Sequence, residues 1–494
     1  MAAALSASAW CAGPQDAEAR TARWLEAHRD RPTWVRQFVQ RMPKGADLHT
    51  HASGAVYAES YIAWSLGEGA CYEVAKKLIA APPCQAEQGR PPLADALKTD
   101  GDLYGALVDS MSVRNLAFAG QSGHDQFFDA FARFRGGSKG DQVAEIATRA
   151  ASQQVTYLEI MLTAGGSKAR DLAKTLQFDG DFAALRDKLL AAGLADAVPA
   201  GRKDIDDIET RVADLLGCAG AAPHPGCAVE RRYLQQTTRI FEPAQVFAQF
   251  LYGFELARAD RRVVGLNLVA PEDNPVALRD YSLQMRMLKY LKTLYPEVPL
   301  ALHAGELKLG MVPPEHLRFH IREAVQVAGA RRIGHGVDVL NEDHAASLLA
   351  DMKKRDVAVE ICLSSNDVIL GVAGADHPFP DYLAAGVPAL LASDDEGVSR
   401  IDLSNEYQRA ALTYKLTYRK LKDLSRNSLR YSFLAGEALW NAAGRIHPAC
   451  SRQRPGMAEA RGACADFLAG SDKARAQWRL EGKFAEFETL GWTR

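Results

Sequence analysis

Two histidines, His49 and His51, close an apolar run at Asp47-Leu48-His49-Thr50-His51. Residues two apart on a strand share a face, so both imidazoles would look the same way and form half of a nitrogen-rich metal site. A third histidine ends the run Leu302-His303-Ala304-Gly305-Glu306, with a carboxylate three residues on, beyond a flexible glycine. A fourth, His335, stands between Gly334 and Gly336, where missing side chains let a ligand or backbone come close. The run Ser393-Asp394-Asp395-Glu396-Gly397 sets three acids side by side. Such acids repel one another unless a cation or a proton relieves them. Singly, each has an ordinary reading: a core histidine bonded to backbone, or an acid in a helix's first turn. Together they supply a Lewis-acid site, a proton donor and a base, the parts needed for hydrolysis at a metal.

What could bring them together is their shared place at the ends of short apolar runs. These runs are Ala46 to His51, Val155 to Leu162, Val263 to Val269, Pro299 to His303, Arg332 to Val337, Val357 to Leu363 and Pro388 to Ser393. A more polar eighth spans Arg232 to Ile240. Strands alternating with helical segments predict a parallel sheet, and eight of them predict a closed (β/α)8 TIM barrel, whose active sites lie at strand C-termini. An open doubly wound sheet is disfavoured, because no glycine-rich phosphate loop follows the first run. Residues 16–445 read as this barrel unit, opening with a helical stretch to Met42-Pro43 and carrying insertions at about 54–150 and 165–230. After Ile401 the pattern is helical to about Ala443, and 446–494 hold a Cys-bearing loop and a final helix packed on the barrel. His28, His124, His316, His320, His344 and His377 fall in helical or loop stretches and read as surface or structural.

The net charge of −2 in 494 residues gives no basic field for nucleic acid. No apolar run reaches the ~18 residues of a membrane span. Residues 1–15 are Ala-rich, with Ala7-Ser8-Ala9 resembling a signal-peptidase site but with no basic start, so they read as an export-signal remnant or a disordered leader. Six of the eight cysteines fall into close pairs in Pro/Gly-rich stretches: Cys71 with Cys84, Cys218 with Cys227, Cys450 with Cys464. Disulfides pinning loops fit a periplasmic or secreted protein, and chance pairing in a cytoplasmic one is the alternative.

The pieces MPKGADLHTH, ALHAGE, RIGHGVDV, EICLSSNDVI and LASDDEG, in that order and spacing, resemble the adenosine deaminase family of the amidohydrolase superfamily. DHPFPDYLAAGVP between the last two is similar to the secreted, growth-factor-like branch. The resemblance implies one zinc ion per chain, bound by His49, His51, His303 and Asp394, with a water completing its shell. It implies that Glu306 protonates purine N1, that His335 orients or deprotonates the attacking water, and that Asp395 bonds N7. The implied reaction converts adenosine or 2′-deoxyadenosine to an inosine-type product and ammonia. Alternatives are an amidohydrolase for another aminated heterocycle and an inactive nucleoside-binding protein on the same scaffold. A homodimer is expected by resemblance alone. Two positions depart from the family pattern: Ser53 stands where an acid usually meets the ribose 5′-hydroxyl, and Ala270-Pro271 where a glycine amide usually meets purine N3. Ala270 can still donate its N–H, and the helical insertion over 54–150 would cover the pocket.

Overall fold

The structure is a computed structural model and describes residues 14–441, 444–456 and 459–492. The start of the Ala-rich leader, residues 1–13, lies outside the described residues. Eight parallel strands form the centre: β1 Gly45–His51, β2 Val155–Leu162, β3 Glu230–Thr238, β4 Val263–Val269, β5 Ala301–Ala304, β6 Arg332–His335, β7 Ala358–Ile361 and β8 Ala389–Leu391. They pair in two parallel sets of four, β1 to β4 and β5 to β8, each strand beside its successor. Two seams join the sets. At one, Leu266 of β4 bridges to Leu300 before β5. At the other, Thr50 of β1 bridges to Asp394 beyond β8, where the Asp394 N–H donates to His49 O (2.9 Å) and the His51 N–H to Asp394 O (3.2 Å). The sheet therefore closes into the (β/α)8 barrel that the spacing predicts.

β3 is less apolar than its neighbours because it carries Gln235, Gln236 and Thr237 on its alternating faces, with Gln236 at the cavity, and it begins and ends two residues earlier than its sequence suggests. The last four strands are short, of three or four residues each. The helical stretch after Ile401 is a further correction. Helices Leu403–Thr413 and Tyr418–Arg430 are followed by a non-helical segment, not by helix to Ala443. In that segment Tyr431 O accepts from Arg332 Nη1 (2.9 Å), the Phe433 ring lies 3.8 Å from the Arg332 guanidinium, and the Phe433 N–H donates to Glu159 (2.5 Å). It passes under the N-terminal mouth of the barrel and closes it.

Inside that floor, fully buried Arg332 of β6 bridges Glu159 of β2 (2.6 Å) and Glu360 of β7. Chain between β1 and β2 forms seven helical segments, one of them 3-10, and an antiparallel hairpin of Cys71–Glu73 with Leu78–Ala80. One of these helices, Gly123–Ala130, is capped by the Ser122 hydroxyl and packs on helix Leu363–Leu370. Its first residue must be glycine, because a Cβ there would sit 1.9 Å from Val368 O. The final helix, Asp472–Glu488, lies against helix Tyr418–Arg430 and the start of β1. All three cysteine pairs are bonded, with Cα separations of 5.4, 5.6 and 4.6 Å, and Cys362 is free and buried. Among the described residues, no helix is long and apolar enough to cross a membrane.

Candidate active site

The barrel's C-terminal mouth holds a cavity of about 390 Å³. It is lined by His51, Ser53, Gln236, Val269, Ala270, Pro271, His303, Glu306, His335, Asp394 and Asp395, with Ile369 and three phenylalanines, Phe127, Phe128 and Phe131, closing it from outside the barrel. The phenylalanines come from the 54–150 segment, which covers the pocket as its helical character predicts. Larger cavities of about 530 and 540 Å³ lie elsewhere, the first near Pro388 and Ala389 at the opposite end of the strands.

The buried imidazoles of His49, His51, His303 and His335 form one cluster. The His49 ring centroid lies 5.4, 4.5 and 5.0 Å from the other three. Asp394 Oδ1 sits 3.3 Å from Nε2 of both His49 and His51. Two sets of ligand atoms come mutually within 4.8 Å: His49, His303, His335 and Asp394, and His51, Asp394 and Asp395. His51 thus joins the expected ligands through Asp394, and His335 stands nearer the centre than its expected role requires.

The second ring nitrogens separate these histidines. His49 Nδ1 meets Glu360 Oε2 (2.6 Å) and His303 Nδ1 meets Asn267 Oδ1 (2.7 Å). Acceptors there fix the proton on Nδ1 and leave Nε2 with a lone pair for a cation. The Gln236 amide lies 3.1 Å from His51 Nδ1, and either end of an amide can serve that nitrogen. Gly334 makes room for the His49 ring, since a Cβ there would come 2.7 Å from it. His49 Nε2 is buried with no aligned hydrogen bond, an orphan atom that suits a metal.

The electrostatics carry the same demand for positive charge. Burial opposes protonation of His49, but the Asp394 carboxylate 3.3 Å away and the hydrogen bond to Glu360 outweigh it and push the imidazole up to about 10. Burial and the neighbouring imidazoles hold His303 neutral, well below its usual range. Burial also opposes ionisation of Asp394, yet bonds from His49 and His51 keep it ionised, and Ser365 donates to its other oxygen at 2.6 Å. The neighbouring acids go the other way. Burial and the Asp394 charge push Asp395 well above the carboxylate range, and burial, Asp394 and Glu272 do the same to Glu306. Two neutral, proton-holding acids therefore flank an ionised one. Asp395 fits only because residue 54 is glycine, where a Cβ would overlap its Oδ1 at 1.6 Å.

Glu306 is held by its backbone. Buried Glu272, in the loop after β4, accepts the Gly305 N–H (3.1 Å) and the Glu306 N–H (2.9 Å) on its two oxygens, while His320 Nδ1 meets it at 2.6 Å. Gly305 adopts φ +74° beside Asp338 and Ile321, where a side chain would clash. His320 and His377, expected to be surface or structural, are both buried and bonded beside the site. Ser53 and Ala270 lie on the pocket wall as their sequence positions suggest. Ala270 holds φ +88°, a glycine-like conformation kept despite its Cβ. Glu360, Asn267, Gln236, Glu272 and Asn366 were not singled out in the sequence. Asn267 and Glu360 carried a signal, as polar residues inside the apolar β4 and β7 runs.

A closed parallel barrel with histidines and acids converging at its strand ends defines a class of hydrolase scaffold. The adenosine deaminase family model matches residues 141–442, and the chain belongs to the adenosine deaminase family of the amidohydrolase superfamily. It is 31% identical over 139 residues to an adenosine deaminase of Clostridium perfringens, covering 28% of this chain and 39% of that one. The figures for an Enterococcus faecalis adenosine deaminase are 33% over 139 residues, 28% and 38%. The chain thus spans about two-fifths of the length of these curated relatives. Among solved structures, an adenine deaminase from Arthrobacter aurescens is 20% identical (80% of this chain, 94% of that one, TM-score 0.47). The Arabidopsis N6-mAMP deaminase is also 20% identical (80% and 95%, TM-score 0.49).

Proposed function

We propose that the chain hydrolytically deaminates adenosine, 2′-deoxyadenosine or a close 6-aminopurine relative. The observation that carries this reading is the buried cluster of imidazoles around Asp394, with Glu306 on the same cavity wall. His49, His51, His303 and Asp394 would hold one zinc ion, which supplies Lewis acidity that brings proton loss from water near neutral pH. Glu306, neutral in its buried setting, donates its proton to purine N1 and makes C6 electrophilic. His335 orients or deprotonates the attacking water and stabilises charge on the adduct at C6. Asp395, also neutral, donates to N7. The Ala270 N–H is available to N3, and Ser53 offers a hydroxyl where the family usually has an acid. The C6–N bond then breaks and ammonia leaves.

No lysine or arginine is among the described residues lining the cavity, which supports a nucleoside or free base over a nucleotide. The three bonded cysteine pairs support reading the chain as exported. Incubation of zinc-replete protein with adenosine, 2′-deoxyadenosine, adenine and AMP, followed by ultraviolet spectroscopy, tests the reaction. A shift to the inosine-type spectrum, abolished by a chelator, is expected. No change with any of them, in protein shown to hold metal, would move the search to other aminated heterocycles. Glu306→Gln should keep about one metal equivalent and lose most turnover.

A further inference from the structure

The role of His335 is decided three hydrogen bonds away from it. The Phe379 backbone N–H lies 3.1 Å from His377 Nδ1. A backbone N–H only donates, so Nδ1 must accept, and neutral His377 carries its proton on Nε2. Nε2 lies 3.0 Å from Asn366 Oδ1 and donates to it. The amide's other end, Nδ2, is then turned to His335 Nδ1 at 2.9 Å and donates in turn. Glu306 Oε1 is 3.6 Å from that nitrogen, beyond hydrogen-bond distance. His335 Nδ1 is therefore an acceptor, and the neutral ring has its proton on Nε2. That atom is buried and makes no hydrogen bond within the protein, on a ring that lines the cavity.

We infer that Asn366 and His377 are positioning residues that lock His335 as an Nε2–H donor, so that it stabilises negative charge developing on the substrate and neither binds the metal nor takes the proton of water. The inference rests on the deaminase reading of the site and chooses between the two roles left open there. Every link is buried, which shields the relay from competing water. Burial disfavours the charged form of both rings. The charged and titratable groups facing His335 include Asp394, His49, His51, Glu272, Glu306 and His303, and Arg409 acts on His377. His335 also holds φ +66°, a left-handed backbone conformation unusual for a residue with a side chain, which aims the ring from the end of β6. The ligand histidines contrast with it: His49 and His303 face acceptors at Nδ1 and keep Nε2 free.

Asn366→Asp tests this directly. It preserves shape but presents a carboxylate to Nδ1, which moves the ring proton from Nε2 to Nδ1. Nitrogen-15 NMR of histidine-labelled protein reads the tautomer, with the His335 signals assigned by their loss in His335→Gln. An unprotonated Nδ1 in the wild type and a protonated one in Asn366→Asp are expected. With them should come a fall in kcat of about 100-fold or more and little change in KM, the scale of losing one oxyanion donor. A protonated Nδ1 in the wild type would overturn the inference even if the variant misfolds, as would a folded Asn366→Asp whose kcat stays within about threefold of wild type, a loss too small for a missing oxyanion donor. Absence of turnover on every purine would instead count against the deaminase reading, and the NMR would still decide the tautomer.

Discussion

Replacing Arg332 by methionine should cost more stability than almost any other single change in the barrel. Its guanidinium is fully buried and neutralises two buried carboxylates, Glu159 at 2.6 Å and Glu360. Removing one partner of a buried pair costs about 3–5 kcal/mol, because the stranded charge has no water to turn to. Two stranded carboxylates put R332M at the upper end of that range, a large share of the roughly 5–15 kcal/mol that holds a folded protein together. Burial opposes ionisation of Glu360, and the Arg332 charge is the largest influence keeping it low. Without that charge, Glu360 takes a proton more readily and becomes a poorer acceptor for His49 Nδ1. Zinc affinity should therefore fall about 10- to 100-fold, as for other losses behind a ligand histidine. Urea unfolding followed by tryptophan fluorescence reads the first effect, and competition against a chromogenic chelator reads the second. The double variant Arg332→Met/Glu159→Gln removes one stranded charge and should recover part of the stability. If R332M unfolds within about 1 kcal/mol of wild type with unchanged zinc affinity, the floor network neither supports the fold nor orients His49.

Four further outcomes are expected. Ala270→Gly relieves a left-handed backbone worth about 1–2 kcal/mol and gives back about 0.4–1 kcal/mol in unfolded-chain entropy, so a small net gain in melting temperature should appear; a clear loss would mean the φ of +88° is unstrained. His124, on helix Gly123–Ala130, pairs with Asp273 beyond β4 (3.2 Å) and with Asp125 (3.0 Å), and its pKa is raised to about 9, chiefly by the Asp273 hydrogen bond. Its folded value lies above its ordinary one of about 6.5, so the stabilisation is complete below about 6.5 and fades as pH rises through about 9; a histidine NMR titration should show this midpoint, and Asp273→Asn should lower it. Reduction should release six alkylatable thiols from the three bonded pairs, seen by mass, and cutting any one pair should cost up to roughly 3 kcal/mol. Metal removal by a chelator should abolish turnover and lower the melting temperature, and both should return with zinc, since a ligand bound only by the folded state stabilises it.

The residues placed at strand ends were legible because the chemistry and the strand that aims it occupy the same few positions. His49, His51, His303, Glu306, His335, Asp394 and Asp395 each close or directly follow an apolar run, so barrel geometry alone brings them to one mouth. The residues that orient them were not legible, for the opposite reason. Glu360 lies within β7 and meets His49 from 311 positions away, and Asn366 begins as one polar letter in LSSND. Glu360 stands out as a charge inside an apolar run, but nothing local names its partner, and nothing local separates Asn366 from a solvated residue. The pocket's cover was legible as helix, but not as the source of Phe127, Phe128 and Phe131, whose spacing reads equally as ordinary helix core. The floor was misread because residues 431–441 contain enough leucine, alanine and tryptophan to look helical, while their role is to run beneath the barrel.

That floor sets a limit on how small a working version of this protein can be made. The strand ends invite trimming after helix Tyr418–Arg430, where every proposed ligand is already present, although the matched family region runs on to residue 442. Such a fragment would lack the Tyr431 carbonyl and the Phe433 ring and amide that enclose the Arg332–Glu159 pair. Water would enter from the end opposite the substrate, and the support behind His49 would loosen without a single pocket residue being touched. The smallest functional unit therefore extends past the last strand, and it is set by the closure of the underside and not by the boundary of the chemistry.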